Sequence, residues 1–170
     1  MSVSLRRATD QDVSFIAGLV AHEDVAPYLA AVRPSSEEEI AAELARSMRE
    51  PEDLGVLVIE LDGDPVGTAT WERVNRRSRI ASVGGFAVDA RLRGRGIATE
   101  AARLLQRYLI RELGFHRLQM EIYGFNVRAQ RHAERAGWVR EGVRRKAYWR
   151  NDTWVDGVLY GLVEEDLDPP

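Results

Sequence analysis

The chain has 170 residues, enough for one domain whose core needs no disulfide or metal staple. Hydrophobic residues at 45% and charged residues at 30% exclude a disordered chain, and the absence of cysteine excludes a disulfide framework, a thiolate metal site and a cysteine nucleophile. The net charge of −3 carries no broad nucleic-acid signature.

Val3–Arg7 alternates and predicts a first strand. Thr9 or Asp10 is placed to cap a helix over Gln11–Ala21, and Ser35/Ser36 followed by Glu38/Glu39 resembles a capping box opening a helix over Glu37–Arg49, ended by Pro51. Leu54–Leu61 is apolar on both faces and reads as a central strand. Asp62-Gly63-Asp64 turns it into a partner strand over Pro65–Arg73. Ile80–Asp89 is a further strand whose paired Gly84 and Gly85 suggest a bulge or a close backbone approach. A long amphipathic helix is predicted over Gly96–Leu113, then an alternating strand through Leu118, Met120 and Ile122, then a helix over Asn126–Ala136 closed by Gly137. Trp138–Trp149 and Trp154–Val163 form a last pair of strands around the Asn151-Asp152 turn. The order β-α-α-β-β-β-α-β-α-β-β is mixed α/β (α+β) with hairpins, not a repeating βαβ wind. The reading is a single domain over residues 1–167 with a short tail at residues 168–170.

The N-terminus MSVSLRRATD has no apolar signal core, and no apolar run approaches the ~20 residues of a membrane span, so a cytoplasmic protein with no membrane partner is expected. Charge is segregated. Residues 1–90 carry −7, residues 91–150 carry +10 and residues 151–170 carry −6. A basic middle calls for an anion or for pairing with the acidic ends. Of the 24 basic residues only Lys146 is a lysine. A compositional bias toward arginine accounts for this as well as phosphate binding does.

The informative segment is Val88-Asp-Ala-Arg-Leu-Arg-Gly-Arg-Gly-Ile-Ala-Thr-Glu100, which joins a strand to a helix. Its core is Arg91-x-x-Gly94-x-Gly96-Ile97-Ala98. Glycines here let the backbone turn tightly, so that several N–H groups point into one concavity and the helix N-terminus adds its positive dipole end. Arg91, Arg93 and Arg95 add charge, Thr99 adds a hydroxyl, and the expected ligand is a pyrophosphate. A Walker A loop is excluded because no Gly-Lys-Ser/Thr occurs. A dinucleotide fingerprint fails because Thr99 stands where a third Gly or Ala is needed. A glycine-rich turn carrying solvated arginines is the remaining structural alternative.

The same six residues resemble the Arg/Gln-x-x-Gly-x-Gly/Ala loop of the GNAT acetyltransferases. Downstream, Asn126, Ala129, Glu134-Arg-Ala-Gly137-Trp138 and Glu141-Gly142 are similar to a stretch of the RimJ/RimL-type (ribosomal-protein N-terminal) branch. Weaker similarity lies in Val25–Leu29 followed by Ser35–Glu39, and in Trp154-Val-Asp156 with Leu159-Tyr160. The resemblance covers essentially the whole chain in order. It implies the GNAT fold: a mostly antiparallel central sheet with splayed fourth and fifth strands and helices on both faces. Acetyl-CoA is the implied cosubstrate, an amine the acceptor and direct acetyl transfer the reaction, with no metal and no nucleic acid. A homodimer is compatible with it.

Carried onto this chain, the resemblance gives Phe86, Ala87 and Val88 backbone contacts to the pantetheine arm and acetyl carbonyl. It gives Arg91, Arg93, Gly94, Arg95, Gly96, Ile97, Ala98 and Thr99 the pyrophosphate, and Asn126 the pantetheine end. Arg131 is placed to meet the 3′-phosphate. Asn126 also reads as a plain helix cap and Arg131 as part of a solvated helix face. Direct transfer agrees with the lack of cysteine and of a Gly-x-Ser-x-Gly elbow. It needs a proton acceptor, for which Glu72 and Asp156 are the candidates. Glu72 equally reads as a solvated strand residue and Asp156 as a paired carboxylate. Tyr28, between the first two helices, and Glu72 are expected to line the acceptor side.

Two departures stand out. The tyrosine that many members carry four residues before the helix-ending glycine is Ala133, and the serine three residues after the asparagine is Ala129. Tyr123, Tyr148 or Tyr160 is then left to protonate the thiolate, unless its ready departure makes an acid unnecessary. A CoA-binding sensor without turnover is the second function these departures allow. A nucleic-acid module is the third, although no nucleic-acid motif accompanies the arginines. His22, His116 and His132 have no metal-ligand spacing.

Overall fold

The computed structural model describes residues 1–30 and 33–167. The tail expected at residues 168–170 lies outside the described residues. Seven strands are β1 (Val3–Arg7), β2 (Leu54–Leu61), β3 (Asp64–Asn75), β4 (Ile80–Val88), β5 (Arg117–Tyr123), β6 (Val139–Arg150) and β7 (Thr153–Val163). Four α-helices are α1 (Val13–Ala21), α2 (Glu37–Arg49), α3 (Ile97–Arg107) and α4 (Val127–Arg135). The strand order is β1-β2-β3-β4-β5-β7-β6, mostly antiparallel, with β4 and β5 parallel. That ladder comprises Ile80–Ser82 against Arg117–Gln119. The chain divides into two compact units, one of Met1–Arg73 with Val83–Leu105, the other of Val74–Ser82 with the chain from Gln106 onward.

In the first unit β2 is apolar from Leu54 to Ile59, all buried, because both its faces are covered there. Val56 and Val58 pack with Ile16, Val20, Ile40 and Leu44 of α1 and α2. Ile59, one residue out of phase, packs with Val66 and with Ile97 and Ala101 of α3. Opposite Leu54, Val56 and Val58 stand Glu72, Thr70 and Thr68 of β3. The helix α2 begins as its sequence foretells. The Ser36 hydroxyl accepts from the Glu39 N–H at 3.1 Å and the Glu39 carboxylate accepts from the Ser36 N–H at 3.1 Å.

The entry to α1 differs from expectation. A single 3-10 turn at Asp10–Asp12 precedes it, and the α-helix starts at Val13. The oxygen that fixes this turn comes from Asp12, which reaches back to accept from the Thr9 N–H at 2.7 Å. The same carboxylate receives both Nη atoms of Arg6, at 2.7 and 2.8 Å, while the Arg6 Nε donates to Glu60 at 2.6 Å. Strand β1 is thereby tied to the helix that follows it and to β2 beside it.

In the second unit Leu118, Tyr160 and Leu162 are fully buried, and Leu109, Phe115, Ala133 and Trp138 are buried as well. The long helix expected to reach Leu113 is α-helical only to Arg107. A π-helical turn over Tyr108–Glu112 follows, with the Leu113 N–H bonded to the Tyr108 carbonyl at 3.0 Å. Asn151 and Asp152, at φ +52° and +57°, make the expected β6–β7 turn. None of the described helices is long and apolar enough to cross a membrane.

The Arg6 guanidinium, helped by the Thr9 N–H, lowers the Asp12 carboxyl from 3.8 to about 2. A depressed folded-state pKa stabilises above the unfolded value and ceases to do so as pH falls through the folded one. Asp12→Asn is therefore expected to cost about 2 kcal/mol at pH 7. The gap to the unsubstituted protein should close between pH 4 and pH 2, as read by urea denaturation.

Candidate active site

The loop between β4 and α3 is built by three local constraints. Asp89 caps the 3-10 turn at Ala90–Leu92, its Oδ1 accepting from the Arg91 N–H at 2.9 Å. Gly94 and Gly96 hold φ of +77° and +79°, and a Cβ at either would meet nothing within 4 Å. The glycines are thus required by backbone conformation rather than by crowding. Ile97 is 1% exposed in the core with Ala101, which pins the first turn of α3. The first intrahelical bond is from the Glu100 N–H to the Gly96 carbonyl at 3.1 Å, so the N–H groups before it have no helical acceptor. Gly96 has no side chain with which to cap them.

The arginines of this loop are not equivalent. Arg91 folds back on Asp89, its Nη2 donating to Oδ2 at 2.5 Å, and this pairing holds the Asp89 carboxyl down near 2. Arg93 donates to the Asp24 carbonyl at 3.0 Å and so tethers the loop to the segment after α1. Arg95 is exposed, and Ala98 and Thr99 are half-buried.

Just before the loop, β4 is distorted at Gly85, φ +55°, as the paired glycines suggested. The close approach there is made by Arg33. A Cβ on Gly84 would collide with the Arg33 guanidinium, which also lies 3.1 Å from the Cβ position of Gly85. Arg33 is half-buried and donates to the buried Thr70 hydroxyl at 2.5 Å. The charges of Glu43 on α2 and Glu72 on β3 act on it, and Arg46 of α2 acts in turn on Glu43. Glu72 is exposed, and its Oε1 accepts from Arg46 Nη2 at 2.9 Å. Glu43 is half-buried, and burial pushes its carboxyl above the usual range, with Glu72 adding to the rise and Arg33 and Arg46 opposing it. Phe86, Ala87 and Val88 follow the distortion directly. Phe86 and Val88 are half-buried against the α3 core, and Ala87 is buried. Tyr28, 42% exposed, ends the 3-10 turn at Ala26–Tyr28. Sequence reasoning missed Arg33 and Glu43. The available signal was Glu43's place three residues after buried Ile40 and four before buried Ser47, at the border of the apolar stripe.

The other unit holds the remaining expected residues. Asn126 is buried and caps α4, its Oδ1 accepting from the Ala129 N–H at 3.2 Å. Its amide NH2 is the end of the side chain left to donate. Arg131 is exposed on α4, and Ala133 is buried in the core. The Asp156 carboxylate accepts from the Lys146 N–H at 2.7 Å. Lys146 has φ +51° and lies in the register shift between Arg144 and Tyr148, so Asp156 fastens a bulge in β6. The Tyr160 hydroxyl donates to Glu134 at 3.0 Å, and burial together with that carboxylate pushes its pKa up to about 12. Tyr148 is also raised, first by burial. Tyr123 stacks on Phe125 at 5.3 Å and meets the edge of Tyr148 at 5.4 Å. Among the described residues no group of three or more His, Asp or Glu is placed to hold a metal.

A strand that distorts at a glycine pair leads through Arg-x-x-Gly-x-Gly into a helix whose first N–H groups have no side-chain cap from Gly96, and residues 2–139 match the acetyltransferase (GNAT) domain family. The chain belongs to the GNAT acetyltransferase family. Among its relatives, the probable N-acetyltransferase YjcK of Bacillus subtilis is 31% identical over 101 residues, 59% of this chain and 56% of that protein. The [ribosomal protein uS5]-alanine N-acetyltransferase of Escherichia coli is 28% identical over 104 residues, 61% of this chain and 54% of that protein. The chain thus spans just over half the length of these two relatives. In fold it is similar to Mycobacterium smegmatis RimJ, solved in complex with CoA-disulfide, at TM-score 0.84 and 21% identity over 98% of this chain and 84% of that one. These relatives agree with the RimJ/RimL-like branch of GNAT.

The glycine requirement of the GNAT loop can be measured apart from any ligand. Gly96→Ala is expected to lower stability by about 1 kcal/mol through its backbone conformation alone. Urea denaturation reads the change, and a neutral result would show that the positive φ is dispensable.

Proposed function

We propose that this protein is an acetyl-CoA-dependent N-acetyltransferase that moves acetyl directly to a primary amine, on a peptide or protein N-terminus or a small molecule. The observation that carries the reading is the loop from Arg91 to Thr99. Its glycines take the backbone that frees a run of N–H groups, and buried Ile97 fixes those groups at a helix N-terminus. Such a terminus combines directed donors with a partial positive charge, which suits a pyrophosphate.

In this reading the backbone of Gly94 to Thr99 holds the pyrophosphate, with Arg95 as a free-standing cation and the Thr99 hydroxyl as a further donor. Arg91 and Arg93 act mainly by keeping the loop in place, through Asp89 and Asp24. Backbone groups of Phe86, Ala87 and Val88 serve the pantetheine arm and the thioester carbonyl, where a strand N–H offsets charge developing on the oxygen. The Asn126 amide donates to the pantetheine end while its oxygen caps α4, so one side chain fills both expected roles. The reading assigns the 3′-phosphate to Arg131 and the acceptor side to Tyr28.

The chain has no cysteine to carry an acyl-enzyme. The work left to the protein is to hold amine and thioester together and to remove a proton. No tyrosine occupies the position of Ala133, and Tyr160 is engaged by Glu134. A CoA thiolate leaves readily, since its basicity is near the ~8.5 of a cysteine thiol, so an acid is not required.

Incubation with acetyl-CoA and a panel of amines and peptides is expected to release free thiol. CoA binding with no thiol release from any acceptor would overturn the enzyme reading in favour of a CoA-binding sensor. Gly94→Glu, which adds strain and a negative charge at the loop, is expected to weaken CoA binding by at least about tenfold in calorimetry. Unchanged affinity would refute the loop assignment.

A further inference from the structure

We propose that Glu43 of α2 is the proton acceptor for the incoming amine. The proposal rests on the N-acetyltransferase reading above and assigns a residue within its acceptor side.

The carboxylates expected from sequence are already engaged. Glu72 is bound by Arg46 at 2.9 Å and exposed, and Asp156 holds the Lys146 N–H of a β-bulge. Glu43 is different. It is half-buried, and among the described residues it makes no hydrogen bond and no ion pair. The charged groups that face it are Arg46 on its own helix, Arg33 from the segment before α2, and Glu72 from β3. Arg33, whose charge acts on it, donates its hydrogen bond to Thr70 instead and is laid over Gly84 and Gly85. Had Arg33 closed on Glu43, the pair would hold the carboxylate ionised and block it sterically. Anchored on Thr70, Arg33 leaves Glu43 without an ion pair.

The location suits the task. Arg33 touches the distortion of β4, and the next residues in the chain are Phe86–Val88, assigned above to the thioester. Arg46, three residues along α2 from Glu43, is bonded to Glu72, and Thr70, two residues from Glu72 and so on the same face of β3, holds Arg33 over Gly84 and Gly85, so Glu43 stands on the part of α2 that faces this group. A half-buried carboxylate without a partner is destabilising in the free protein and is repaid by a bound cation. An ammonium is the cation this reaction supplies.

The step balances as follows. One proton of the acceptor ammonium passes to the Glu43 carboxylate, directly or through one water. The freed lone pair attacks the thioester carbonyl carbon, so that a C–N bond forms and the C–S bond breaks, with its electron pair leaving on sulfur. The nitrogen's surplus proton goes to that thiolate, and Glu43 returns its proton to solvent.

The test is kcat/KM against pH for the unsubstituted protein and four variants, with CoA affinity measured on each as the check of folding. The unsubstituted enzyme should lose activity toward low pH as Glu43 becomes protonated, at a pH above the ordinary carboxylate range. Glu43→Gln should remove the part of this limb that Glu43 sets, leaving only the ionisation of the amine itself, and reduce kcat by about 10²-fold or more, with CoA affinity retained. Glu43→Asp should restore the limb in part. Arg33→Met removes a positive charge that favours the carboxylate, so the limb should move to higher pH. Glu72→Gln removes a negative charge that disfavours it, so the limb should move to lower pH. A purely structural Glu43 would give no such opposed shifts. An unchanged limb in Glu43→Gln, with kcat within tenfold, overturns the assignment while leaving the N-acetyltransferase reading intact. Absence of turnover in the unsubstituted protein with every amine tried overturns both.

Discussion

An α-helix starts with four N–H groups that its own backbone cannot satisfy, and the helices of this protein treat that need in two ways. At α2 and α4 a side-chain oxygen, from Ser36 or Asn126, supplies an acceptor. At α3 the cap position is Gly96, which has no side-chain oxygen to give, and it and Gly94 adopt a backbone that glycine takes without strain. The donors at α3 therefore stay available, and the fold must hold them still without bonding them. Ile97 and Ala101 do this from below by packing on Ile59 and Val66. Asp89 does it from the side by gripping Arg91, and Asp24 by receiving Arg93. The double-faced burial of β2 follows from the same need, since one face must carry α3 and the other α1 and α2.

This arrangement alters the meaning of the charge segregation. The +10 of residues 91–150 suggests a broad phosphate surface, but several of those arginines are spent internally. Arg117 pairs with Glu141 and Arg144 with Glu121, both within the same basic stretch, while Arg91 and Arg93 turn to the acidic front of the chain. Exposed pairs of this kind contribute little to stability. Their effect is to fix side chains and to leave few cations unengaged near the glycine loop. Recognition of an anion there rests more on backbone donors than on net charge.

Much of this was legible in the sequence because it is local. The capping box at Ser36, the apolar run of β2, the Asn126 cap and the Gly94-x-Gly96 turn each follow from residues within a few positions of one another. The features that escaped depend on groups far apart in the chain. Thr9 does stand at the cap, but the box is completed by Asp12, which Arg6 on β1 holds there, and it opens a 3-10 turn before α1. Asp156 is committed to Lys146 across a bulge that no periodicity announces. Gly84 and Gly85 did signal a close approach, but only the fold shows that the approaching group is Arg33. The π-helical turn after Arg107 likewise leaves no mark on the apolar pattern, which continues through Leu109 and Ile110.

The same distinction separates Glu72 from Glu43. On a strand, Glu72 drew notice because it sits between Trp71 and Arg73, and a lone acid among such neighbours stands out. On a charged helix, Glu43 is one of four acids among the thirteen residues from Glu37 to Arg49, and only burial distinguishes it. Yet the physical requirements of a proton acceptor favour the less conspicuous residue. A carboxylate already bound by an exposed arginine gains little by taking a proton and would first have to release its partner. A half-buried carboxylate with no bond to break accepts one more readily, because burial penalises its charged form. That state is costly to maintain, and it persists here because Thr70 and the glycines of β4 hold Arg33 away from the neutralisation it could otherwise provide. Local conflicts of this kind, where two opposite charges are kept near but apart, are what a fold tolerates where a ligand completes the set.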